Sequence, residues 1–206
     1  MEENPFENKR GAEEWIHAVE NERGTIRDNE IYPQLTAWVK TIKPPIIVDI
    51  GAGQGICSTK LGNDDTEYIG IEPSKYLVAR ANKLYKKDGR KFLIGSAYNI
   101  PLESNIANAV FSITTWFHLA DISIASRELA RILESEGYFM IITPNPAAYD
   151  VWETFYSDPK KHGKLIVGKA DILLNPTDSK KNFKFSRLSK NTFYLHSLEK
   201  IVNLLK

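Results

Sequence analysis

Apolar residues recur along the chain in two alternating patterns. Short, mostly apolar runs predict buried strands at residues 46–50, 68–72, 91–95, 109–114 and 138–143. Apolar positions three and four apart predict amphipathic helices at 12–21, 30–42, near 54–61, after Ser74 and at 122–134, with Ser74 and Asp121 as N-caps. This alternation predicts an α/β fold: a doubly wound, mainly parallel sheet with helices on both faces and right-handed crossovers.

The 206 residues are enough for a single domain, 1–206, but its last third breaks the pattern. Prolines, aromatic residues and lysines crowd the stretch after residue 143. They predict that this stretch is an insertion, or a lid, over the C-terminal edge of the sheet. A loosely structured linker is the alternative. The expected parts are a helical cap at 1–43, a ligand-binding core at 44–145, the insertion at 146–196, short strands at 172–174 and 183–185, and a final helix at 197–206.

The strand at 46–50 runs directly into three glycines at alternate positions, Gly51, Gly53 and Gly55. A buried strand that ends in a glycine turn lets a nucleotide ligand approach the backbone. Ile56 stands where a dinucleotide fingerprint requires its third glycine. Asp49, just before the turn, suits a ligand amino group better than a pyrophosphate.

The segment from Val48 to Gly55, Val-Asp-Ile-Gly-Ala-Gly-Gln-Gly, resembles motif I of the class I S-adenosylmethionine-dependent methyltransferases. The resemblance implies a Rossmann-like fold, S-adenosylmethionine as the cofactor and S-adenosylhomocysteine as the product. It also implies that the three glycines, Ala52 and Asp49 bind the cofactor. Glu72 ends the next strand, where an acid accepts hydrogen bonds from ribose hydroxyls, and Pro73 follows it.

The later strand ends add further candidates. The segment from Gly95 to Leu102 is similar to the family's G-D-A-x-x-L-P-F pattern, with Ser96 in place of the aspartate and Ala97 supplying backbone groups. After the fourth strand, the resemblance implies that the segment with Thr115 and Trp116 passes under the sulfonium, where Trp116 and Phe117 form an aromatic wall or, as the alternative, pack in the core. It makes His118 the candidate base, with a structural histidine as the alternative. In the N-terminal segment, Trp15 and Tyr32 are expected to close over the cofactor, and Arg27 to bind its carboxylate.

Composition narrows the functional classes. Cys57 is the single cysteine, so no disulfide within the chain and no multi-cysteine metal site is expected. The absence of an 18-residue apolar run and of a secretory leader predicts a cytoplasmic protein without membrane contact. Residues 160–206 hold 11 Lys and Arg against 3 Asp and Glu, a charge balance that attracts acidic partners or is a solvated face.

The expected reaction is direct methyl transfer to a nucleophilic O, N or C of an acceptor. A small-molecule acceptor is favoured over RNA or protein. The alternatives are a non-catalytic cofactor-binding module and, less favoured, an NAD-dependent oxidoreductase. The family's C-terminal antiparallel hairpin has no counterpart in the sequence pattern. The fifth strand would then be an edge that calls for cover by the insertion or by a partner, which makes a homodimer possible.

Overall fold

The computed structural model describes residues 4–20, 27–61, 65–143, 179–184, 190–195 and 203–204. Its helices are α1 (Lys9–Glu20), α2 (Tyr32–Ile42), α3 (Lys75–Tyr85) and α4 (Ile122–Ile132). Its strands are β1 (Ile46–Ile50), β2 (Glu67–Glu72), β3 (Arg90–Ile94), β4 (Ala107–Ile113), β5 (Leu133–Ile142), β6 (Ser179–Lys184) and β7 (Lys190–Leu195).

The first five strands form one parallel sheet in the order β3-β2-β1-β4-β5. Two hydrophobic clusters lie on its two faces. One packs α4 against the sheet, and the other packs α2 and α3 against the opposite face. The predicted fold class, with helices on both faces, is confirmed. The carboxyl ends of the parallel strands meet at one edge, where α/β folds bind their ligands.

Both predicted N-caps are present. The Ser74 hydroxyl accepts a hydrogen bond from the Leu77 N–H at 3.4 Å, and the Asp121 carboxylate accepts one from the Ser123 N–H at 2.9 Å. On α3, Leu77, Val78 and Ala81 are buried, whereas Leu84 is 45% exposed.

One of the predicted crossover helices differs from the sequence pattern. The helix expected near 54–61 is only a 3-10 turn, Ile56–Thr59, because the Ser58 and Thr59 hydroxyls donate to the carbonyls of Gly55 and Ile56 and so compete with helical bonding. The connection from β3 to β4, residues 95–106, contains no helix. Strand and helix therefore alternate less regularly than the pattern predicted.

The outer strand β5 begins at Leu133, five residues before its predicted start, because a register shift opposite Ala107 and Ala109 lets the chain pair on both sides of a bulge. Helix α4 accordingly ends at Ile132 instead of 134. Glu136, in the bulged stretch between Leu133 and Tyr138, has φ 64°. Tyr138 and Phe139 on β5 are 55% and 41% exposed.

Strands β6 and β7 form a separate antiparallel pair, and among the described residues the main sheet has no antiparallel strand. The predicted strand at 183–185 overlaps the end of β6. The predicted strand at 172–174 and the rest of the proposed insertion, apart from β6 and β7, lie outside the described residues. So does the final helix at 197–206, except for residues 203 and 204, which are helical.

Candidate functional site at the carboxyl edge of the sheet

The glycine turn after β1 folds back over the end of β2. The N–H groups of Gly51 and Ala52 both donate to the carbonyl of Ile71, at 2.8 and 3.0 Å. All three glycines have positive φ, at 82°, 55° and 85° in chain order. Residues with side chains rarely adopt this conformation, so the turn depends on glycine at each position.

The three glycines meet different surroundings. A Cβ at Gly51 would lie 2.0 Å from Oγ1 of Thr115, and one at Gly55 would lie 2.6 Å from a ring carbon of Phe92. A Cβ at Gly53 would meet only Nε1 of Trp15, at 3.4 Å, within the described part of the chain. The expectation that a missing side chain makes room for a ligand therefore applies to Gly53. At Gly51 and Gly55 it makes room for protein atoms.

Asp49 is buried against a tyrosine that sequence reasoning did not identify. Its side chain is 2% exposed, and Oδ2 accepts a hydrogen bond from the Tyr68 hydroxyl at 2.6 Å. Burial raises the pKa of Asp49 to about 7, the bond from Tyr68 opposes the rise, and the negative charge of Glu72 adds to it. The predicted contact with a ligand amino group is thus replaced by a protein contact at this oxygen.

Glu72 connects the ends of β1 and β2. Its Oε2 accepts a hydrogen bond from the Gly53 N–H at 3.0 Å, and its Oε1 accepts one from the Ser74 N–H at 2.9 Å. Burial raises the pKa of Glu72 to about 7, against the effect of these two bonds. Each carboxylate oxygen has two acceptor positions, so the contacts leave capacity for hydroxyl donors such as those of a ribose.

A cavity of about 50 Å³ lies over the glycine turn. Five of the predicted site residues belong to its lining: Arg27, Asp49, Gly51, Ala52 and Gly53. Trp15 and Tyr32, the two aromatic residues expected to close over the site, also line it. Binding sites for small molecules usually measure ~300–1,000 Å³, so this cavity admits a nucleoside only if its cover moves.

The cover is built from α1 and the turn before α2. The Arg27 guanidinium lies 5.2 Å from the centroid of the Trp15 ring, and its Nη2 donates to Oγ1 of Thr114 at 3.3 Å. Phe6 packs against Trp15, with ring centroids 5.2 Å apart. A cation over an aromatic face contributes about 0.5–1 kcal/mol where it is partly exposed, so the cover is held by weak contacts.

Gln54 is a lining residue that sequence reasoning missed. Its side chain is 3% exposed, and neither its amide oxygen nor its amide nitrogen has a hydrogen-bond partner within the described residues. A buried polar group without a partner is destabilising, so such a group next to a cavity indicates a ligand contact. The only available signal was a polar residue between two glycines.

The loop after β3 does not reach this cavity. The Ser96 hydroxyl accepts a hydrogen bond from the Tyr98 N–H at 3.3 Å, and Ala97 is buried in the cluster under α4. The loop is tied to α4 through Glu128 and Arg131, two further residues that sequence reasoning missed. Their spacing of three residues on one helix face was the available signal.

The segment after β4 contains one clear correction. Trp116 is 1% exposed and packs in the core with Leu119 and Ile122, so the prediction that it faces the sulfonium is wrong in this structure. Its Nε1 has no hydrogen-bond partner among the residues described. Thr115 points at Gly51 instead of lining the cavity, which Thr114 does.

His118 lies between aromatic rings. Its ring centroid is 4.2 Å from that of Phe117 and 5.6 Å from that of Phe6. Burial lowers the pKa of His118 to about 4, so the imidazole is neutral at neutral pH. His118 does not line the cavity, and neither do Gly55, Glu72, Pro73, Ser96 and Ala97. Within the described ranges there is no cluster of three or more metal-binding side chains, and no helix is long and apolar enough to span a membrane.

Comparison with known proteins agrees with this arrangement. Residues 48–141 match the family model described as a methyltransferase domain. The chain is 27% identical over 99 residues to YcgJ, an uncharacterised methyltransferase of Bacillus subtilis, covering 47% of this chain and 39% of the relative. It is 28% identical over 141 residues to the 16S rRNA (adenine(1408)-N(1))-methyltransferase of Escherichia coli, covering 61% and 62%.

A solved structure gives the same result. A protein from Methanococcus maripaludis, described as an S-adenosyl-L-methionine-dependent methyltransferase, aligns with a TM-score of 0.57 and 25% identity over 77% of this chain and 76% of its own. The fold, the glycine turn and the match of residues 48–141 are those of the class I S-adenosylmethionine-dependent methyltransferases. The alignments span 39% and 62% of the lengths of the two curated relatives.

Proposed function

We propose that this chain binds S-adenosylmethionine over the glycine turn and catalyses transfer of its methyl group to a nucleophilic O, N or C of an acceptor. The observation that carries the proposal is the surroundings of Gly53. Its missing side chain opens onto the cavity, and its N–H donates to Glu72, the acid at the adjacent strand end. One turn thereby combines close backbone approach with an acceptor for ribose hydroxyls.

The residues around the turn fit this cofactor in chemistry. Arg27 supplies a guanidinium for the carboxylate of the amino-acid end, and Gln54 supplies a buried amide with no protein partner among the described residues. Glu72 keeps acceptor capacity for the ribose. Gly55 and Gly51 hold the turn in shape through their contacts with Phe92 and Thr115.

When bound, the sulfonium supplies an electrophilic methyl group with a neutral leaving group, so the chain does not need to supply a nucleophile. Its own residues have to orient two reactants and exclude water. Trp15 covers Gly53 and Arg27 covers Trp15, so this cover closes the turn from solvent. Entry of the cofactor then requires α1 to move away from the turn.

A small molecule is the favoured acceptor, as the sequence predicts. The cover formed by Phe6, Trp15 and Arg27 supports it, since a closed site suits a ligand that can be enclosed. RNA is the second candidate, because the Escherichia coli relative acts on 16S rRNA and residues 160–206 are rich in lysine. In either case a pKa of about 4 makes the imidazole of His118 a weak base, which supports a structural role for this histidine over a catalytic one.

Calorimetric titration with S-adenosylhomocysteine and with NADH tests the proposal. We expect wild-type protein to bind S-adenosylhomocysteine and not NADH, and Gly53→Val to lose binding while remaining folded. Gly89→Val is the matched control, because Gly89 has φ +74° and nothing within 4 Å of an added Cβ, away from the turn. Preference for NADH, or full binding by a folded Gly53→Val variant, would contradict the assignment. Binding without turnover on any acceptor would support the non-catalytic module.

A further inference from the structure

The loop between β3 and β4 must be held in place by something other than its own secondary structure. Residues 95–106 contain no helix, and their internal hydrogen bonds are a reciprocal backbone pair between Ser96 and Asn99 at 3.2 and 3.0 Å, one from the Leu102 N–H to the Ile100 carbonyl at 2.8 Å, and one from the Tyr98 N–H to the Ser96 hydroxyl at 3.3 Å. At its start, the Gly95 N–H donates to the carbonyl of Glu72 at 3.2 Å. The loop therefore begins beside the acid proposed to accept the ribose.

Two side chains of α4 reach this loop from one turn of helix. Arg131 donates from Nη1 to the carbonyl of Leu102 at 2.7 Å and from Nη2 to the carbonyl of Ile100 at 2.9 Å. Glu128 accepts the Ile100 N–H on Oε2 at 2.8 Å. Both backbone groups of Ile100 are thus bound by one pair of charged residues.

Glu128 and Arg131 also hold each other in place. Nε of Arg131 lies 2.7 Å from Oε1 of Glu128, and Nη2 lies 2.9 Å from Oε2, a two-point contact that sets the plane of the guanidinium. The arginine keeps the pKa of Glu128 below its usual value, so the pair stays charged at neutral pH. The side chains are 33% and 19% exposed, so solvent screens their contribution to overall stability.

We propose that Glu128 and Arg131 are positioning residues that set the segment Ser96–Ala97 against the base of the bound nucleoside. The inference rests on the proposed function. The bond from the Gly95 N–H to the carbonyl of Glu72 places the start of this loop beside the acid, so a base that extends from a ribose held at Glu72 toward β3 meets the loop. The loop after β3 presents Ser96 and Ala97 there, and Ile100, held at both backbone groups, lies three residues further along.

The pair contacts neither the cavity nor the cover, so its effect on binding has to pass through the loop backbone. The base-recognition step then depends on Arg131, while the glycine turn, Arg27 and Glu72 remain as they are. Loss of the pair weakens binding most for ligands whose base makes good contacts with the loop. A change in general stability would weaken all ligands equally.

The experiment compares two ligands that differ only at the base, S-adenosylhomocysteine and S-inosylhomocysteine, by calorimetry on the full chain. We expect Arg131→Ala to raise the Kd for S-adenosylhomocysteine about tenfold, as loss of charged hydrogen bonds does, with a smaller change for the inosine analogue. Arg131→Lys and Glu128→Gln should show intermediate losses. In Arg131→Ala, the ratio of the Kd for S-inosylhomocysteine to the Kd for S-adenosylhomocysteine therefore falls toward one.

Lys91→Met is the matched control, since Lys91 forms an exposed ion pair with Glu67 at 2.7 Å on the strand that leads to the loop. We expect it to leave both Kd values unchanged. If Arg131→Ala does not fold, Arg131→Lys and Glu128→Gln decide the question. Folded variants with an unchanged ratio would overturn the inference and leave the proposed function intact. Wild-type protein that binds neither ligand would overturn both.

Discussion

The turn after β1 and the loop after β3 lie at the same edge of the sheet, but they acquire their conformations in different ways. The turn is fixed locally, by three glycines with positive φ and two hydrogen bonds to the carbonyl of Ile71. The loop is fixed from a distance, by Glu128 and Arg131, which follow it by more than twenty residues. The first kind of support is written into a short sequence, and the second is not.

This difference determines what a substitution changes in each of the two segments. In the turn, the backbone itself is the functional element, so a change of one residue alters both fold and site. In the loop, the functional segment and its support are separate, so either can be changed alone. Three substitutions, with successively smaller expected effects, test whether the turn and the loop respond in these different ways.

Gly51→Ala is expected to have the largest effect on folding. The added Cβ would lie 2.0 Å from Oγ1 of Thr115, and the alanine backbone would have to adopt φ +82°. Overpacking together with left-handed strain is expected to lower the free energy of unfolding by about 3 kcal/mol. Urea denaturation measures it, with Gly89→Ala as the control that carries the strain alone, about 1 kcal/mol. Equal stability of the two variants would show that Thr115 does not constrain the turn.

Replacement of Asp49 by Asn is expected to change how stability depends on pH. The pKa of Asp49 is raised from 3.8 to about 7, so between these values the folded protein holds a proton that the unfolded chain has released. The contribution of protonated Asp49 to the free energy of unfolding is therefore present below pH 4 and lost as pH rises to 7. Relative to Asp49→Asn, wild type should lose about 2 kcal/mol between pH 5 and pH 7.

Denaturation at each pH measures the difference between the two proteins. Glu72, whose pKa is also raised, acts in the same direction, and His118, whose pKa is lowered to about 4, acts in the opposite one. Both are present in wild type and variant, so their effects largely cancel. Glu128→Gln is the comparison from the loop, because the pKa of Glu128 is lowered and its contribution is lost only in acid. A flat difference for Asp49→Asn would mean that this carboxylate is ionised in the fold.

Ser96→Ala is expected to have the smallest effect. The hydroxyl accepts one weak hydrogen bond from the Tyr98 N–H at 3.3 Å, while the loop keeps its support from α4. We expect less than about a threefold loss of affinity for S-adenosylhomocysteine and a stability change within about 0.5 kcal/mol. A tenfold loss would show that the hydroxyl itself recognises the base, and would reduce the importance of its support.

The sequence predicted the parts of the molecule that depend on local pattern. The five parallel strands, the glycine turn and the N-caps at Ser74 and Asp121 all follow from neighbouring residues. It failed where a side chain finds a partner far along the chain. Asp49 is separated from Tyr68 by 19 residues, and Ile100 from Arg131 by 31. No local pattern distinguishes such a partner from a surface residue.

Trp116 shows a second limit of prediction from sequence, which is the direction of a side chain. Its position after β4 is what the family resemblance requires, yet the ring turns into the core beside Ile122 instead of toward the cavity. Spacing places a residue at the edge of the sheet but does not say which way its side chain points. The neighbouring Thr114, with φ 55°, reaches the cavity instead.

The most direct test of the central claim is the amide spectrum of protein labelled with ¹⁵N-glycine, recorded with and without saturating S-adenosylhomocysteine. The chain has 12 glycines, and among those that the structure describes Gly53 is the one whose N–H donates to the side-chain carboxylate of Glu72. We predict that the Gly53 resonance shifts most and that the Gly89 resonance does not move. Saturable binding that leaves the Gly53 resonance in place would contradict the assignment of the cofactor to this turn.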